Sequence, residues 1–287
     1  MTTSQENGAG GWLITGCSTG IGRHIAEAAL AKGHRVAVTA RKREAVADIA
    51  AAHPDRTIAL ALDVTKRDQV NAAVRETERA FGGIDVLVNN AGYGYMAAVE
   101  EGEDEEIRAL FETNYFGAVA MIQAALPGMR ARGRGHVINI SSMTGLVANP
   151  PNVFYSSTKF ALEALTEGLA KEVGPLGLKV TAIEPGAFRT DWASRSMREA
   201  QNPIDAYAET VGARKKLIKL AGDKFPGDPR RIADAVLMVT ERENPPLHLL
   251  LGHDVYKAYR EKLRGLLESV EEWKDVTLDV NFPSGRI

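Results

Sequence analysis

Short apolar segments alternate with longer helical ones from residue 11 almost to the end of the chain, and this rhythm narrows the fold more than any other feature. Strand character falls at 11–15, 35–40, 58–62, 84–89, 135–140, 179–184 and 247–251. Helical patterns lie between, at 21–32, 43–52, 67–81, 105–129, 154–173 and 229–241. Runs such as Val86-Leu87-Val88 are apolar at consecutive positions rather than alternate ones. That pattern suits parallel strands covered on both faces. Strand–helix alternation implies right-handed crossovers, so the expected architecture is α/β, a doubly wound, mainly parallel seven-stranded sheet flanked by helices.

Two stretches break the rhythm. Residues 188–225 carry mixed helical segments with Trp192, Met197 and Tyr207, and read as a lid inserted beside the sheet. Residues 252–287 read as an amphipathic helical extension (Tyr256, Tyr259, Leu263, Leu266, Leu267, Val270) with an irregular end. Residues 1–10 lack the basic start and apolar centre of a signal peptide and read as a flexible tail. No Pro/Gly/Ser-rich linker divides 11–287, so one domain is expected.

Bulk properties exclude several classes. A net charge of −2 gives no reason to expect nucleic acid or an anionic membrane as a partner. No apolar run reaches the length of a membrane span. A single cysteine, Cys17, precludes an internal disulfide framework and suits a reducing cytoplasm. The scattered histidines, His248 and His253 among them, lack metal-ligand spacing, so no metal site is expected. The acidic run Glu100, Glu101, Glu103, Asp104, Glu105 and Glu106 reads as a solvated helix N-terminus.

The turn after the first strand is Thr15-Gly16-Cys17-Ser18-Thr19-Gly20-Ile21-Gly22, which opens the first helix. Glycines there let backbone approach a pyrophosphate, and the helix N-terminus offers free N–H groups to it. The second strand ends in Ala40 and Arg41, where an acidic residue would favour the ribose of NAD. A guanidinium at this point instead matches a 2′-phosphate, so NADP is expected over NAD. Asp63 and Val64 follow the third strand, where Asp63 can cap the next helix or contact adenine.

Chemistry is suggested further on. Tyr155 and Lys159 are four apart in a segment with helical spacing, so both project from one face. A tyrosine of ordinary pKa, about 10, is a poor acid or base at neutral pH. An ammonium one turn away favours the phenolate and tunes the group for proton transfer. Ser142 ends the fifth strand, where its hydroxyl can bond a substrate oxygen.

Taken in order, these residues resemble the short-chain dehydrogenase/reductase family over most of the chain. The glycine turn is similar to its cofactor turn, and Asn89-Asn90-Ala91-Gly92 to its motif after the fourth strand. Asn114, Ser142, Tyr155 and Lys159 match its catalytic set, and the serine–tyrosine separation selects Ser142 over Ser141. Pro185-Gly186 and Thr190 resemble the segment that holds the nicotinamide carboxamide. The resemblance implies a Rossmann-like fold and an NADP(H)-dependent oxidoreductase that interconverts a carbonyl and an alcohol. Tyr155 would carry the proton, Ser142 orient the oxygen, Lys159 serve both tyrosine and nicotinamide ribose, and Asn114 hold a relay water. Cofactor contacts would come from Gly16, Ser18, Thr19, Gly20, Ile21, Gly22, Arg41, Asp63, Val64, Asn90, Ala91, Gly92, Tyr155, Lys159, Pro185, Gly186, Phe188 and Thr190.

An apolar or aromatic small-molecule substrate would meet Tyr93, Tyr95, Met143, Leu146, Val147, Val153, Phe188, Trp192 and Met197. By analogy with the family, a homodimer or homotetramer is expected. Two rival readings remain: a non-catalytic nucleotide-binding sensor or structural protein, and an epimerase or dehydratase of the same family.

Overall fold

A computed structural model describes residues 11–190 and 196–282. In chain order the elements are β1 (Gly11–Ile14), α1 (Gly20–Ala31), β2 (Arg35–Ala40), α2 (Ala47–Ala52), β3 (Thr57–Ala61), α3 (Arg67–Phe81), β4 (Val86–Asn89) and β5 (Gly94–Met96). There follow α4 (Asp104–Phe111), α5 (Gly117–Arg132), β6 (Gly135–Ile140), α6 (Val153–Val173), β7 (Leu178–Pro185), β8 (Met197–Glu199), α7 (Ala213–Ala221) and α8 (Pro229–Thr240). The last are β9 (His248–Leu251), α9 (His253–Glu272) and α10 (Lys274–Leu278). Seven strands form one parallel sheet in the order β3-β2-β1-β4-β6-β7-β9. The chain winds outward from β1 to β3, then crosses back to β4 on the other side of β1. That reversal makes β1 and β4 the switch point of the sheet, and ligands bind such sheets outside the carboxyl ends of the strands there.

The consecutive apolar runs have a direct structural meaning. Ile14, Val36, Val38, Val88 and Ile138 pack beneath α1 and α8 with Ile25, Ile232 and Val236. Their neighbours Leu13, Ala37, Leu87 and Val137 face the opposite layer with Val70, Met121 and Leu169. Alternate residues thus enter different cores, as strand geometry demands. Full burial of each Leu, Ile or Val contributes about 1.5–3 kcal/mol. A polar tie crosses the second layer: Asn89 Nδ2 donates to Asn139 Oδ1 at 2.9 Å, and Asn139 Nδ2 to Thr166 Oγ1 at 2.9 Å. It links β4, β6 and α6 close to the functional end of the sheet.

The long helix expected over 105–129 forms as α4 and α5 joined by a π-helical turn, Glu112–Phe116. The helix at 43–52 begins as a 3₁₀ turn, Arg43–Val46, before α2. The C-terminal helix is present, yet Leu266, Leu267 and Val270 on α9 are exposed. Among the described residues, no helix is long and apolar enough to cross a membrane. The tail expected over 1–10, residue Trp192 and the last five residues lie outside the described residues.

The segment between β7 and α8 adds a pairing that periodicity did not announce: β8 runs parallel to β5, with Gly94 opposite Met197 and Met96 opposite Glu199. The acidic run divides: Asp104, Glu105 and Glu106 stand in the first turn of α4, as expected of a helix start, while Glu100, Glu101 and Glu103 precede it and form the other half of this attachment. Glu100 Oε2 accepts from the Tyr207 hydroxyl at 2.7 Å, and Glu103 Oε1 from the Gln201 N–H at 2.9 Å. Arg198 Nη1 donates to Glu106 Oε2 at 2.6 Å. Glu101 is buried; it accepts the N–H groups of Ala98 (2.9 Å) and Ile204 (3.0 Å) and pairs with Lys215 at 3.2 Å. Burial alone would raise the Glu101 carboxyl, but these donors outweigh it and hold it below the ordinary carboxylate range. Negative charge ahead of α4 thus fastens the segment after β7.

Replacing Glu101 with alanine strands two N–H groups and an ammonium. The expected cost is about 1–3 kcal/mol, read as a lower Tm and faster amide exchange across 197–221. Unchanged exchange in that segment would show that Glu101 does not fasten it.

Candidate active site

Everything of chemical interest gathers at the carboxyl ends of β1, β4, β6 and β7. Gly16 and Gly20 both have positive φ, +73° and +62°, which a side chain would strain. Gly22 has a different reason to be glycine: a Cβ there would stand 2.3 Å from Asn90 Nδ2 and 2.6 Å from the Gly16 carbonyl oxygen. Asn90 is the brace of the turn. Its Nδ2 donates to the carbonyls of Thr15 (2.9 Å) and Gly16 (3.0 Å). Thr15 Oγ1 in return accepts the N–H groups of Asn90 (2.9 Å) and Ala91 (3.0 Å). Cys17 is buried, its N–H donates to the Thr39 carbonyl at 2.7 Å, and burial pushes its thiol up to about 12, so it is inert.

The turn therefore fits a dinucleotide phosphate. Among the described residues, a Cβ on Gly20 would meet nothing closer than Thr190 Cβ at 3.9 Å, so Thr190 stands beside the N-terminus of α1. Ser18, Thr19 and Ile21 are half-buried there. Arg41 is exposed just past β2. Asp63 Oδ1 accepts the Thr65 N–H at 3.0 Å and hydroxyl at 2.7 Å, so it caps a turn before α3 rather than α3 itself. The Val64 side chain packs into the core where a Gly117 Cβ would otherwise stand, 2.6 Å away, which leaves its backbone for a nucleotide.

The π-turn explains how Asn114 reaches the site. Its extra residue breaks the helical register and turns Asn114 inward, 2% exposed. Asn114 Oδ1 then accepts the Tyr93 N–H at 3.0 Å, and Nδ2 donates to the Tyr93 carbonyl at 2.9 Å and Thr158 Oγ1 at 3.2 Å. Gly92 permits this approach, since a Cβ would stand 3.0 Å from Asn114 Oδ1. Behind it lies a cavity of about 10 Å³, lined by Thr15, Asn89, Thr113, Asn114 and Lys159 among others. A polar space of that size suits a single water.

Lys159 is buried, and its Nζ donates to the Ile140 carbonyl at the end of β6, 2.8 Å away. The same Nζ lies 5.7 Å from the centre of the Tyr155 ring. Burial brings the Lys159 ammonium down to about 8, against an opposing pull from Glu163. Ser142, just past β6, is half-buried and accepts the Thr144 N–H at 3.2 Å. Lys159 thus stands by the Tyr155 ring and lines one cavity with Asn114.

Of the residues expected to meet the substrate, Tyr93, Met143, Val147, Val153 and Met197 are half-buried. Tyr95 is not part of it: the ring is fully buried, stacked 5.9 Å from Phe154, and its hydroxyl bonds Glu103. Leu146 is buried too, its carbonyl held by Lys262 of α9. The Phe188 ring fills the space a Gly227 Cβ would need, so it packs on the core and leaves backbone to a cofactor. Sequence reasoning also missed Asp254, at the start of α9. Its Oδ2 accepts the Ala187 N–H at 2.7 Å, and its carboxylate occupies the place of a Gly186 side chain, fixing the Pro185-Gly186 loop.

A sheet reversing at β1/β4, with a glycine turn at the switch point and a buried lysine beside a tyrosine, defines a dinucleotide-binding oxidoreductase fold. The chain belongs to the short-chain dehydrogenase family, whose model matches residues 12–201. It is similar to a short-chain dehydrogenase from Streptomyces avermitilis, at 42% identity and a TM-score of 0.90, over 96% of this chain and 100% of that one. It is 36% identical to a 3-ketodihydrosphingosine reductase of Bacteroides thetaiotaomicron, over 84% of this chain and 87% of that protein. The structure of ElxO with NADP bound matches at 29% identity and a TM-score of 0.69, over 84% of this chain and 96% of the other. This protein is therefore an oxidoreductase of that family, acting on CH–OH and carbonyl groups.

Changing Gly22 to alanine should cost about 1–3 kcal/mol through overpacking against the Asn90 brace and weaken dinucleotide binding. Titration of NADPH with the variant checks this; undiminished affinity would mean that the turn does not hold the cofactor.

Proposed function

We propose that the protein is an NADP(H)-dependent carbonyl reductase or alcohol dehydrogenase in which Tyr155 is the general acid/base. The observation that carries this reading is Lys159. Its ammonium is held out of water by α6, tied to the Ile140 carbonyl and set against the Tyr155 ring. Such an ammonium favours the phenolate and lowers the cost of moving a proton at Tyr155 Oη. When bound, the nicotinamide supplies or accepts the hydride. Tyr155 gives its proton to the carbonyl oxygen in reduction and recovers it in oxidation. Ser142 holds that oxygen, while Lys159 and Asn114 connect the tyrosine to the small polar cavity.

The glycine turn, Asn90 and Thr190 cradle the dinucleotide, and Pro185-Gly186 presents backbone to the nicotinamide end. Arg41, exposed past β2 with no acidic residue beside it in sequence, supports NADP over NAD. The half-buried Tyr93, Met143, Val147 and Met197 support an apolar carbonyl, and the name of the Bacteroides relative, a 3-ketodihydrosphingosine reductase, supports a ketone. The chain beyond residue 10 acts as one domain in this reading, with 188–225 as substrate lid, in a homo-oligomer of a reducing cytoplasm.

Tyr155→Phe should retain NADPH binding and lose about 10²–10⁴-fold in turnover, measured with the best carbonyl from an NADPH-oxidation screen of aldehydes, ketones, quinones and steroids. Retained turnover would sink the mechanism. The cofactor preference is tested separately: Arg41→Ala should lower the NADPH/NADH ratio of kcat/KM about 10–100-fold. An unchanged ratio would show that Arg41 does not read the phosphate.

A further inference from the structure

Behind Lys159 lies a second group of ionisable side chains that the proton chemistry above does not use. Glu163 follows Lys159 by four residues on α6 and so projects from the same face. It is 5% exposed, and Glu184 of β7 is fully buried. His248, on the adjoining strand β9, shares the face of Glu184, since it pairs with Ala182. His248 Nδ1 lies 2.7 Å from Glu184 Oε1 and 3.5 Å from Glu163 Oε2, and one ligand atom from each of the three residues lies within 4.8 Å of the others. Neither Glu163 oxygen has a well-formed hydrogen bond, nor does Glu184 Oε2. Buried carboxylates left so poorly solvated are costly unless a proton or a nearby cation offsets them.

The groups around Glu163 come from five elements. Lys159 and Glu167 share α6, and Glu167 Oε1 lies 3.7 Å from His248 Nε2. Ser141 follows β6, and Gly145 leaves room for both its hydroxyl and Glu163 Oε1. Glu184 is on β7 and His248 on β9, while Tyr259 reaches in from α9, its phenol raised first by burial and then by these carboxylates. A divalent ion fits poorly, because two donors on one zinc keep about 3.3 Å apart whereas His248 and Glu184 are at hydrogen-bond distance.

Resting on the assignment of Tyr155 and Lys159 as the acid/base pair, we propose that Glu163 is a positioning residue for them. It stands with Glu184 under His248 and supplies the buried counter-charge that keeps Lys159 an ammonium. Burial pushes the Glu163 and Glu184 carboxyls up to about 7 and brings Lys159 down to about 8, so all three change charge not far from neutrality. Negative charge that develops on Glu163 one turn from Lys159 then favours retention of the lysine proton. Glu163 thereby widens the pH range over which the ammonium stands beside Tyr155.

The test reads Lys159 itself, by side-chain carbon NMR of the full chain labelled at lysine Cε, the resonance being assigned by its loss in Lys159→Arg. In Glu163→Gln the Lys159 midpoint should fall by about one pH unit. In Glu184→Gln, Glu163 ionises without a like-charged neighbour, so the midpoint should stay near that of the native chain. A midpoint unmoved by Glu163→Gln, or lowered as much by Glu184→Gln, overturns the inference. The native protein gives a check needing no variant: two glutamate carboxyl carbons should titrate near neutrality, and ordinary acidic titration of both overturns it as well. If instead Tyr155→Phe keeps its turnover, the acid/base assignment fails while the Lys159 titration is untouched, so the two failures are told apart.

Discussion

Thr15 and Asn90 hold together the two strand ends on which the rest of the site depends. β1 and β4 are neighbours in space but 75 residues apart in sequence, and between them the chain has made its outward half-turn through β2 and β3. Where they meet, the glycine turn has no ladder to satisfy its carbonyls, and buried backbone groups left unpaired are costly. The Asn90 amide satisfies two of those carbonyls, and Thr15 Oγ1 satisfies two N–H groups of the opposite strand end. The turn is thus fixed from outside itself, which is what a phosphate-binding backbone requires.

Next to this brace, the buried polar groups form layers rather than isolated contacts. Asn89, Asn139 and Thr166 tie β4 and β6 to α6, and α6 then presents Tyr155, Lys159 and Glu163 toward the strand ends. Lys159 gains one carbonyl partner and gives up bulk water, so its charge depends on the groups around it. That dependence is why carboxyls on β7 and a histidine on β9 bear on a lysine of α6. The π-turn at Glu112–Phe116 serves the same end from the other side, bringing Asn114 to the Tyr93 backbone and to the cavity beside Lys159.

The sequence reading located most elements to within a residue or two, because sheet burial on both faces leaves a pattern that local periodicity can detect. β2, α3 and β6 have the expected ends. It went astray where the partner of a residue lies far along the chain. Glu101 looked like part of a solvated helix start, since nothing nearby in sequence announces Ile204 or Lys215, more than a hundred residues on. Tyr95 looked like a pocket aromatic, but Phe154 and Glu103 draw it into the core. Asp254 carried no signal at all, because its role is to fill the space above a glycine that only the folded chain brings near.

What the sequence determined by itself was the alternation, the glycine turn and the ordered set Asn114, Ser142, Tyr155, Lys159. These are local statements, and strand periodicity, backbone freedom at glycine and helical spacing suffice to make them. The tertiary structure decided how Lys159 loses its water, which carboxyls stand behind it, and what fastens the segment after β7. Those are matters of burial and of distance through space, and they arise only when β4, β6, β7 and β9 are laid side by side.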